Sequence, residues 1–523
     1  MTGEDRSNNL FKKGVPLRQP MRIHPFLALA LTVVPVGLAG CLAPAEEPLD
    51  ADVLPLPLDP PPAFGVPGSL GFRTVLGPPN LRAPEPTLGI PWNTDNVFYH
   101  AGFRTFRITF DAAGEATWTD VTAPYQVPIN LDPMLHVDPD TNRIWAGGLH
   151  GICSVMMYSD DDGESWTPTR NMCSGKDFDH QSIGSGPSPA PLAGTLYPHT
   201  VYYCAQGGTI SCATSQDGGA TWGPFVTETT PCRGFHGHIR VSRVTGMMAL
   251  PVPDCGGNLG MLATYDGITY VAKIVPDSHR WTNGFDSALQ FGREEGWLWY
   301  AMASEHGIYA SLSKDDGDTW ETIGEGMGVP GTHYLDIGQF HDPPVVSGVF
   351  TNIEVGDDDR AAVSFLGLEG RPGADLEFLR SKDIYQCVER QDELVWHYYV
   401  AFTYDAGQTW RVERISEDPV QVGGIWDVVS GGSGRCRNLL DFNGMALDSL
   451  GRVHISWADG CVDECAQTAQ PDTNGYRTRE ARLFRQETGM GLFAKADANN
   501  AAAAGGATAG KTPGLRLPGF ALG

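Results

Sequence analysis

The sequence predicts an all-β fold made of many short strands joined by tight turns. One eight-residue pattern, Ser-x-Asp-x-Gly-x-(Ser/Thr)-Trp, occurs four times, once with Thr in first place. A pattern that recurs along a chain marks a repeated structural unit. The chain also has 64 Gly, 39 Pro and 13 Trp, and its body contains no long apolar helical stretch, so strands and turns are expected.

Each residue type in the pattern has a physical role in a hairpin turn. The Asp accepts hydrogen bonds from backbone amides, the Gly adopts a positive φ, and the Trp anchors the turn. The copies occupy residues 159–166, 215–222, 313–320 and 403–410. The predicted structural residues are the Asp and Trp of each copy, namely Asp161, Trp166, Asp217, Trp222, Asp315, Trp320, Asp405 and Trp410.

These turns resemble the Asp-boxes of BNR repeats, a motif of β-propellers that include the sialidases. The resemblance implies a single β-propeller in which each box joins the third and fourth strands of a blade. It also implies that the boxes are structural and lie away from any substrate site.

The spacing of the boxes predicts the number of blades. The two later gaps between boxes are close to twice the first, which indicates blades without a complete box. A shortened box at 264–270 and a stretched one at 109–118 bring the count to six. The last gap hides another blade or holds an insertion, and the charged, irregular segment 371–396 favours the insertion. Strands within 443–457 and at 480–485 predict a seventh blade, with six blades as the alternative.

The two ends of the chain differ in composition from the body. Residues 1–41 read as a targeting segment whose apolar run ends in Leu-Ala-Gly-Cys, which resembles a bacterial lipoprotein signal with Cys41 as the lipidated residue. An ordinary signal peptide with an incidental Cys is the alternative. Residues 42–74 form a Pro-rich linker, 75–493 the propeller, and 494–523 an Ala/Gly-rich tail that is expected to be disordered. We therefore expect an exported outer-membrane or cell-surface lipoprotein, with the periplasm as another location.

The charge balance excludes some classes of partner. Lys and Arg number 36 against 62 Asp and Glu, which gives a net charge of −26. Such a surface repels nucleic acid and anionic membranes, so the only expected membrane contact is a lipid anchor. An anionic sugar would need a local arginine cluster to bind. A monomer without a cofactor or a metal is expected.

Ten cysteines remain in addition to Cys41, and an even number in an exported protein predicts up to five disulfides. Cys204 and Cys212 are placed to face each other across a hairpin. Proximity in sequence suggests three further pairs, Cys153 with Cys173, Cys232 with Cys255 and Cys461 with Cys465. A zinc site at the last pair is the alternative.

A functional site is expected at the loops opposite the boxes, which are the D-to-A connections between blades and the B-to-C turns within them. The candidate catalytic residues are the carboxylates Asp179, Glu294 and Glu305. Candidate substrate-binding residues, assigned to these connections, are His180, His236, His238, Arg240, Arg293 and Arg437. The alternative for His236 and His238 is metal chelation, because residues two apart on a strand project to the same side.

The resemblance to sialidases implies three arginines that hold a sugar carboxylate, a tyrosine nucleophile and an acidic general acid/base. Arg240, Arg293 and Arg437 are the arginine candidates, but the family's Phe/Tyr-Arg-Ile-Pro is matched only by 106–109, where Thr109 replaces Pro. No tyrosine stands out as the nucleophile. The sequence thus predicts a surface propeller that binds glycans or acts on them as a sialidase-like exo-glycosidase. The alternative is a non-catalytic scaffold that binds proteins or assists assembly.

Overall fold

Four-stranded antiparallel sheets are the repeating unit of the computed structural model, which describes residues 64–124, 131–173, 179–188, 196–206, 208–279, 286–324, 333–387, 390–426, 436–471 and 478–509. Seven such sheets form a ring. In each sheet the strand at the ring axis is called A, and B, C and D follow outward. The prediction of an all-β, seven-bladed propeller is confirmed, and the six-bladed alternative is wrong.

The strands of the first three blades follow one another in sequence. Blade 1 contains β2 (Thr87–Gly89), β3 (Val97–Ala101), β4 (Arg104–Phe110) and β5 (Ala116–Asp120). Blade 2 contains β6 (Leu131–Val137), β7 (Ile144–His150) and β8 (Cys153–Ser159), with β9 (Thr167–Pro168) and β10 (Met172–Cys173) both paired to β8. Blade 3 contains β11 (Asp179–Pro187), β12 (His199–Gln206), β13 (Ile210–Ser215) and β14 (Val226–Thr227).

The next three blades carry small additions. Blade 4 contains β16 (Arg240–Val241), β17 (Met248–Val252), β19 (Gly260–Thr264) and β20 (Val271–Ile274), beside a separate pair of β15 (Cys232–Arg233) and β18 (Asp254–Cys255). Blade 5 contains β21 (Ala288–Phe291), β22 (Leu298–Ser304), β23 (Gly307–Ser313) and β24 (Leu335–Asp336). Blade 6 contains β25 (Val345–Val355), β26 (Ala361–Glu369), β27 (Val395–Thr403) and β28 (Arg411–Arg414), with β29 (Gln421–Val422) paired to β27.

Blade 7 closes the ring with strands from both ends of the described chain. It combines β30 (Gly444–Leu447), β31 (Val453–Asp459) and β32 (Glu480–Thr488) with β1 (Gly71–Leu76), whose Val75 lies opposite Leu483. The three later strands match the predicted seventh blade. The boundary expected after residue 74 lies too late, because β1 begins at Gly71 and is the outermost strand of that blade.

The predicted insertion lies between β26 and β27 of blade 6, and the described residues of that gap form no further blade. It contains the helix α1 (Leu376–Leu379) and 3-10 turns at Lys382–Tyr385 and Gln391–Glu393. A third 3-10 turn, Ile337–Phe340, precedes β25, and the short helix α2 (Glu464–Thr468) follows β31.

The four repeats form the same turn between strands C and D. In the first copy Asp161 accepts hydrogen bonds from the backbone N–H of Ser165 (2.8 Å) and from the hydroxyl of Ser159 (2.8 Å). Gly163 has a φ of +81° and donates its N–H to the Ser159 hydroxyl (2.9 Å). The other copies repeat these bonds. Each turn tip therefore satisfies its own polar groups.

Tryptophans tie neighbouring blades together. The indole N–H of Trp166 donates to the Val121 carbonyl of blade 1 (2.8 Å), and that of Trp320 donates to the Ile274 carbonyl of blade 4 (3.1 Å). Trp299 is fully buried and meets Trp410 edge-on across blades 5 and 6, with ring centroids 5.9 Å apart. Burial of these large rings supplies much of the contact between blades.

All ten described cysteines form disulfides. The pairs Cys153–Cys173, Cys204–Cys212, Cys232–Cys255 and Cys461–Cys465 are as predicted, so the zinc alternative for the last pair is wrong. The fifth disulfide, Cys387–Cys436, joins the insertion of blade 6 to the connection that enters blade 7.

The segment after the propeller is helical where a disordered tail was expected. The helix α3 (Ala494–Ala509) is rich in alanine, the residue with the highest helix propensity. Its first turn is held by a hydrogen bond from the Ala494 N–H to Asp357 (2.7 Å) and by an ion pair between Arg360 and Asp497 (2.7 Å). No helix in the described part of the chain is long and apolar enough to span a membrane. The targeting segment and Cys41 lie outside the described residues.

Candidate functional site

A channel runs along the ring axis between the seven A strands. These strands are β2, β6, β11, β16, β21, β25 and β30, and each contacts the A strand of the next blade. Packing at the axis is close, since a Cβ on Gly184 would lie 2.5 Å from the Ile239 side chain. Because strands alternate in direction, the D-to-A connections open at one end of the channel, and the A-to-B turns share the other end with the repeat turns. We call these ends the D–A mouth and the A–B mouth.

Carboxyl groups from five blades converge at the D–A mouth. This carboxylate cluster comprises Glu85, Asp132, Asp179, Asp286 and Asp441, each at or just ahead of an A strand. Asp179 is exposed and Asp132 is partly exposed, while the other three are buried. The predicted residue Asp179 thus lies in a much larger acidic group than the sequence indicated.

His180 occupies the centre of the cluster. Its Nδ1 lies 3.1 Å from Asp286 Oδ1 and its Nε2 lies 3.9 Å from Asp441 Oδ2, while its ring stacks on Phe235 with centroids 4.4 Å apart. Burial opposes a charge on this ring, but the attraction of Asp286 and Asp441 outweighs it and raises the pKa of His180 well above the ordinary value. The imidazolium therefore balances part of the negative charge around it.

Burial raises the pKa of three members of the cluster, Glu85, Asp132 and Asp286. Burial raises the pKa of Glu85 well above its usual range, and the neighbouring charge of Asp441 adds to this effect. Burial also raises the pKa of Asp132 to about 7, with further contributions from the charge of Asp179 and from a hydrogen bond to it. The Asp132 carboxyl therefore titrates near neutral pH, as a group that transfers protons must.

Arg437 lies at the same mouth but is already paired. Its guanidinium donates to both oxygens of Asp441, and Asp441 also accepts the indole N–H of Trp426 (2.7 Å). The ring of Trp426 meets Phe235 edge-on, with centroids 6.0 Å apart. Together with Phe442, which meets His180 edge-on, these rings form an aromatic wall beside the carboxylates.

His236 and His238 lie at successive depths. His236 is buried 6.4 Å from His180, ring centroid to centroid, and its Nδ1 donates to the Gly237 carbonyl. His238 lines the channel further in and meets Phe442 edge-on. Burial lowers the pKa of each to about 3, so both rings are neutral. They do not belong to a three-ligand group within metal-binding distance among the described residues.

Two predicted residues are at the wrong end of the channel. Arg293 and Glu294 follow β21, in the A-to-B turn of blade 5, whereas the sequence analysis placed them in a D-to-A connection. The A strand of this blade is the four-residue segment Ala288–Phe291. The more apolar run Leu298–Ser304 is the B strand, and Arg293 and Glu294 lie between the two. The N–H of Glu294 donates to Asp358 (3.1 Å), which is a structural role.

The remaining candidates are spread over the propeller. Arg240 belongs to the A strand β16 and lines the channel. Glu305 lies in the B-to-C turn of blade 5 as predicted, buried beneath the insertion of blade 6 with Lys382 4.0 Å away. Arg107 is on β4, the third strand of blade 1, where it pairs with Glu164 (2.6 Å) of the repeat turn.

Sequence reasoning missed several residues of this mouth, namely Glu85, Asp132, Asp286, Phe235, Trp426 and Phe442. A signal for the acids was present. In five blades an acidic residue lies between three residues before the start of the A strand and one residue after it. Aligning the blades on their A strands would have revealed it. The short A strands, such as Thr87–Gly89, carry too little pattern to be located from sequence.

Comparison with known proteins finds solved propellers of low sequence identity. They include virginiamycin B lyase from Staphylococcus aureus, with a TM-score of 0.43, 9% identity and coverage of 80% of this chain and 99% of that one. A six-bladed fucose-recognising lectin from Aleuria aurantia has a TM-score of 0.37, 9% identity and coverage of 64% and 95%. The Hadza microbial sialidase has a TM-score of 0.35, 16% identity and coverage of 54% and 63%. No protein-family model and no curated protein matches the sequence. At such identities each likeness is one of fold alone.

Proposed function

We propose that the protein is a glycan-binding propeller whose ligand site is the D–A mouth. The observation that supports this most is the convergence of carboxyl groups from five blades beside an aromatic wall. Carboxylates accept hydrogen bonds from sugar hydroxyls, and aromatic rings pack against the C–H faces of sugars. Phe235 is half-buried, which leaves part of its ring available for such a contact.

The charge of this mouth favours a neutral glycan. His180 and Arg437 are already paired, His180 with Asp286 and Arg437 with Asp441, so neither is available to an anionic sugar. A sialidase-type clamp needs three arginines around one carboxylate. Of the three predicted arginines only Arg437 lies here. A sugar that carries its own carboxylate would therefore be repelled.

The test is a glycan array followed by calorimetric titration of the best neutral oligosaccharide. Asp179→Asn removes an exposed carboxylate and Phe235→Ala removes a stacking surface, and each is expected to weaken binding at least about tenfold, or 1.4 kcal/mol. Asp392→Asn, an exposed acid on the insertion, is the matched control and should bind normally. A preference for sialylated or uronylated glycans that Asp179→Asn or Phe235→Ala weakens would contradict the neutral ligand. If the protein binds no glycan on the array, the proposal is overturned in favour of a protein-binding platform.

Hydrolysis of the bound glycan is a second candidate function, favoured by the raised pKa of Asp132. With a pKa of about 7 and a hydrogen bond to Asp179, Asp132 has the properties of a general acid beside a second carboxyl group. Activity on 4-nitrophenyl glycosides of neutral sugars should then fall as the pH rises through about 7. Asp132→Asn should lower kcat by at least about a hundredfold while glycan binding persists. Failure to hydrolyse any neutral glycoside would exclude this second function.

A further inference from the structure

A second cavity lies on the channel axis behind the A–B mouth, at the opposite end from the carboxylate cluster. Its volume is about 150 Å³, and its lining includes Trp92, Arg240, Arg243, Arg293 and Glu354. We call this cavity the arginine pocket. Trp92, Arg243 and Arg293 at its rim are half-buried, so a ligand has access from the A–B side.

Three guanidinium groups from two blades converge in the arginine pocket. Arg240 is on the A strand β16, Arg243 follows that strand, and Arg293 follows β21 of the next blade. Among the lining residues Glu354 is the one carboxylate, and it lies 3.2 Å from Arg240 Nη2. The lining residues thus carry three guanidinium groups against one carboxylate, while Asp140, which is outside the lining, pairs with Arg243 and Arg293.

The guanidinium groups retain unused hydrogen-bonding capacity. The Nε of Arg240 is buried without a hydrogen-bond partner. The guanidinium of Arg293 lies over Trp92, 4.0 Å from its ring centroid, and its Nη2 is 3.5 Å from Asp140. Because an arginine has five N–H donors in a fixed plane, such a group is prepared for a planar anion.

Electrostatics points in the same direction. Burial lowers the pKa of Arg243 to about 10, and repulsion from Arg293 contributes; burial likewise lowers the pKa of Arg293 to about 10. An anion between these groups would offset the cost of burying their charges. A cation is disfavoured: Asp138, Asp140 and His199 are close enough to form a metal site, but Arg243 already occupies Asp140.

We propose that the arginine pocket binds a small carboxylate-bearing molecule. Planar guanidinium groups bind carboxylates through paired hydrogen bonds, and the apolar walls formed by Leu88, Val137, Val241 and Phe291 suit the carbon skeleton behind such a group. The carboxylate can belong to a free dicarboxylate or to the acidic end residue of a saccharide. This site is separate from the D–A mouth, so neither proposal depends on the other.

The experiment is calorimetric titration of the purified protein with four probes: succinate, methyl β-glucuronide, inorganic phosphate and methyl β-glucoside. Succinate, the glucuronide or both should bind, and any binding of the neutral glucoside should be unaffected by Arg293→Gln. Succinate alone indicates a free dicarboxylate, and the glucuronide alone indicates an acidic saccharide. Tighter binding of phosphate than of either carboxylate, or no binding of a carboxylate at millimolar concentration, would overturn the proposal.

Variants locate the binding. Arg293→Gln and Arg243→Gln should each weaken carboxylate binding at least about tenfold, while Arg104→Gln, which alters a half-exposed pair on β4, should leave it unchanged. Glu354→Gln removes the competing carboxylate and should strengthen binding about three- to tenfold. Arg293→Lys keeps the positive charge but removes the planar guanidinium group. A thermal melt of this variant shows directly whether a loss of binding comes from a loss of folding. Unchanged affinity in both Arg→Gln variants, or weaker binding in Glu354→Gln, would place the ligand elsewhere.

Discussion

Replacing Asp132 by Asn is expected to stabilise the protein at alkaline pH and not at acidic pH. The pKa of about 7 for Asp132 lies about three units above the ordinary Asp value of about 3.9, and each unit corresponds to about 1.4 kcal/mol. A group whose pKa is raised by folding supports the fold fully below its unfolded pKa and loses that contribution as the pH rises through the folded value. Ionising Asp132 therefore costs up to about 4 kcal/mol between pH 4 and 8.

The magnitude translates into a measurable shift in Tm. Unfolding entropy of about 2 cal/mol/K per residue gives about 1 kcal/mol/K for a unit of this size, so about 4 kcal/mol corresponds to about 4 °C. Asn suits the site because Asp132 has a φ of +47°, a conformation that Asn tolerates. The amide also keeps a donor for the hydrogen bond to Asp179.

Differential scanning calorimetry at pH 5 and pH 8.5 is the assay. The variant and the wild type should melt within about 1 °C of each other at pH 5, and the variant should melt about 2–4 °C higher at pH 8.5. Asp277→Asn is the matched control, because Asp277 is exposed and also has a positive φ, of +58°. An equal difference between variant and wild type at both pH values would show that Asp132 does not ionise across neutral pH and would refute the reasoning.

Three further predictions concern the scaffold, each checked by thermal melting. Replacing both Cys387 and Cys436 by Ser should lower Tm by about 4 °C, since closing a loop with a separation of 49 residues contributes about 4 kcal/mol; an unchanged Tm would mean that this bridge does not constrain the unfolded chain. Val75→Asp puts a charge on the buried face of β1 and should cost about 3 kcal/mol or more, whereas Thr74→Asp on the exposed face should cost little; equal losses would contradict this closure of the ring. Asp161→Ala removes the acceptor of the Ser165 N–H and hydroxyl and should cost about 2 kcal/mol, and no loss would show that the turn does not depend on it.

The fold could be predicted because its signals are local. The Asp–Gly–Trp turns recur in every copy with the hydrogen bonds that their residue types favour. Their spacing, with two incomplete boxes, gave six blades, and the strands after the last box gave the seventh. Cys204 and Cys212 lie opposite each other across a single hairpin, so their closeness in sequence was enough to predict the pair. The helix α3 was missed because an Ala/Gly-rich segment without periodicity does not indicate what it packs against. Its first turn is held on the propeller by Asp357 and Arg360.

The candidate site was only partly predictable. Asp179, His180, His236 and Arg437 were expected at the D-to-A connections and lie together there. Arg293 was assigned to the wrong end because one short A strand was misplaced, and a shift of a few residues in a strand boundary moves a side chain from one mouth to the other.

By itself, the sequence determined the all-β class, the seven blades, the insertion in the sixth blade and four of the five disulfides. Each depends on a pattern contained within one blade or a few tens of residues. Tertiary structure alone decided that β1 closes the ring, that carboxyl groups from five blades share one mouth, and that Arg240, Arg243 and Arg293 share the other end of the channel. These residues are far apart in sequence, and only the closure of the ring about its axis brings them within interacting distance, where burial and mutual charge then set their pKa values.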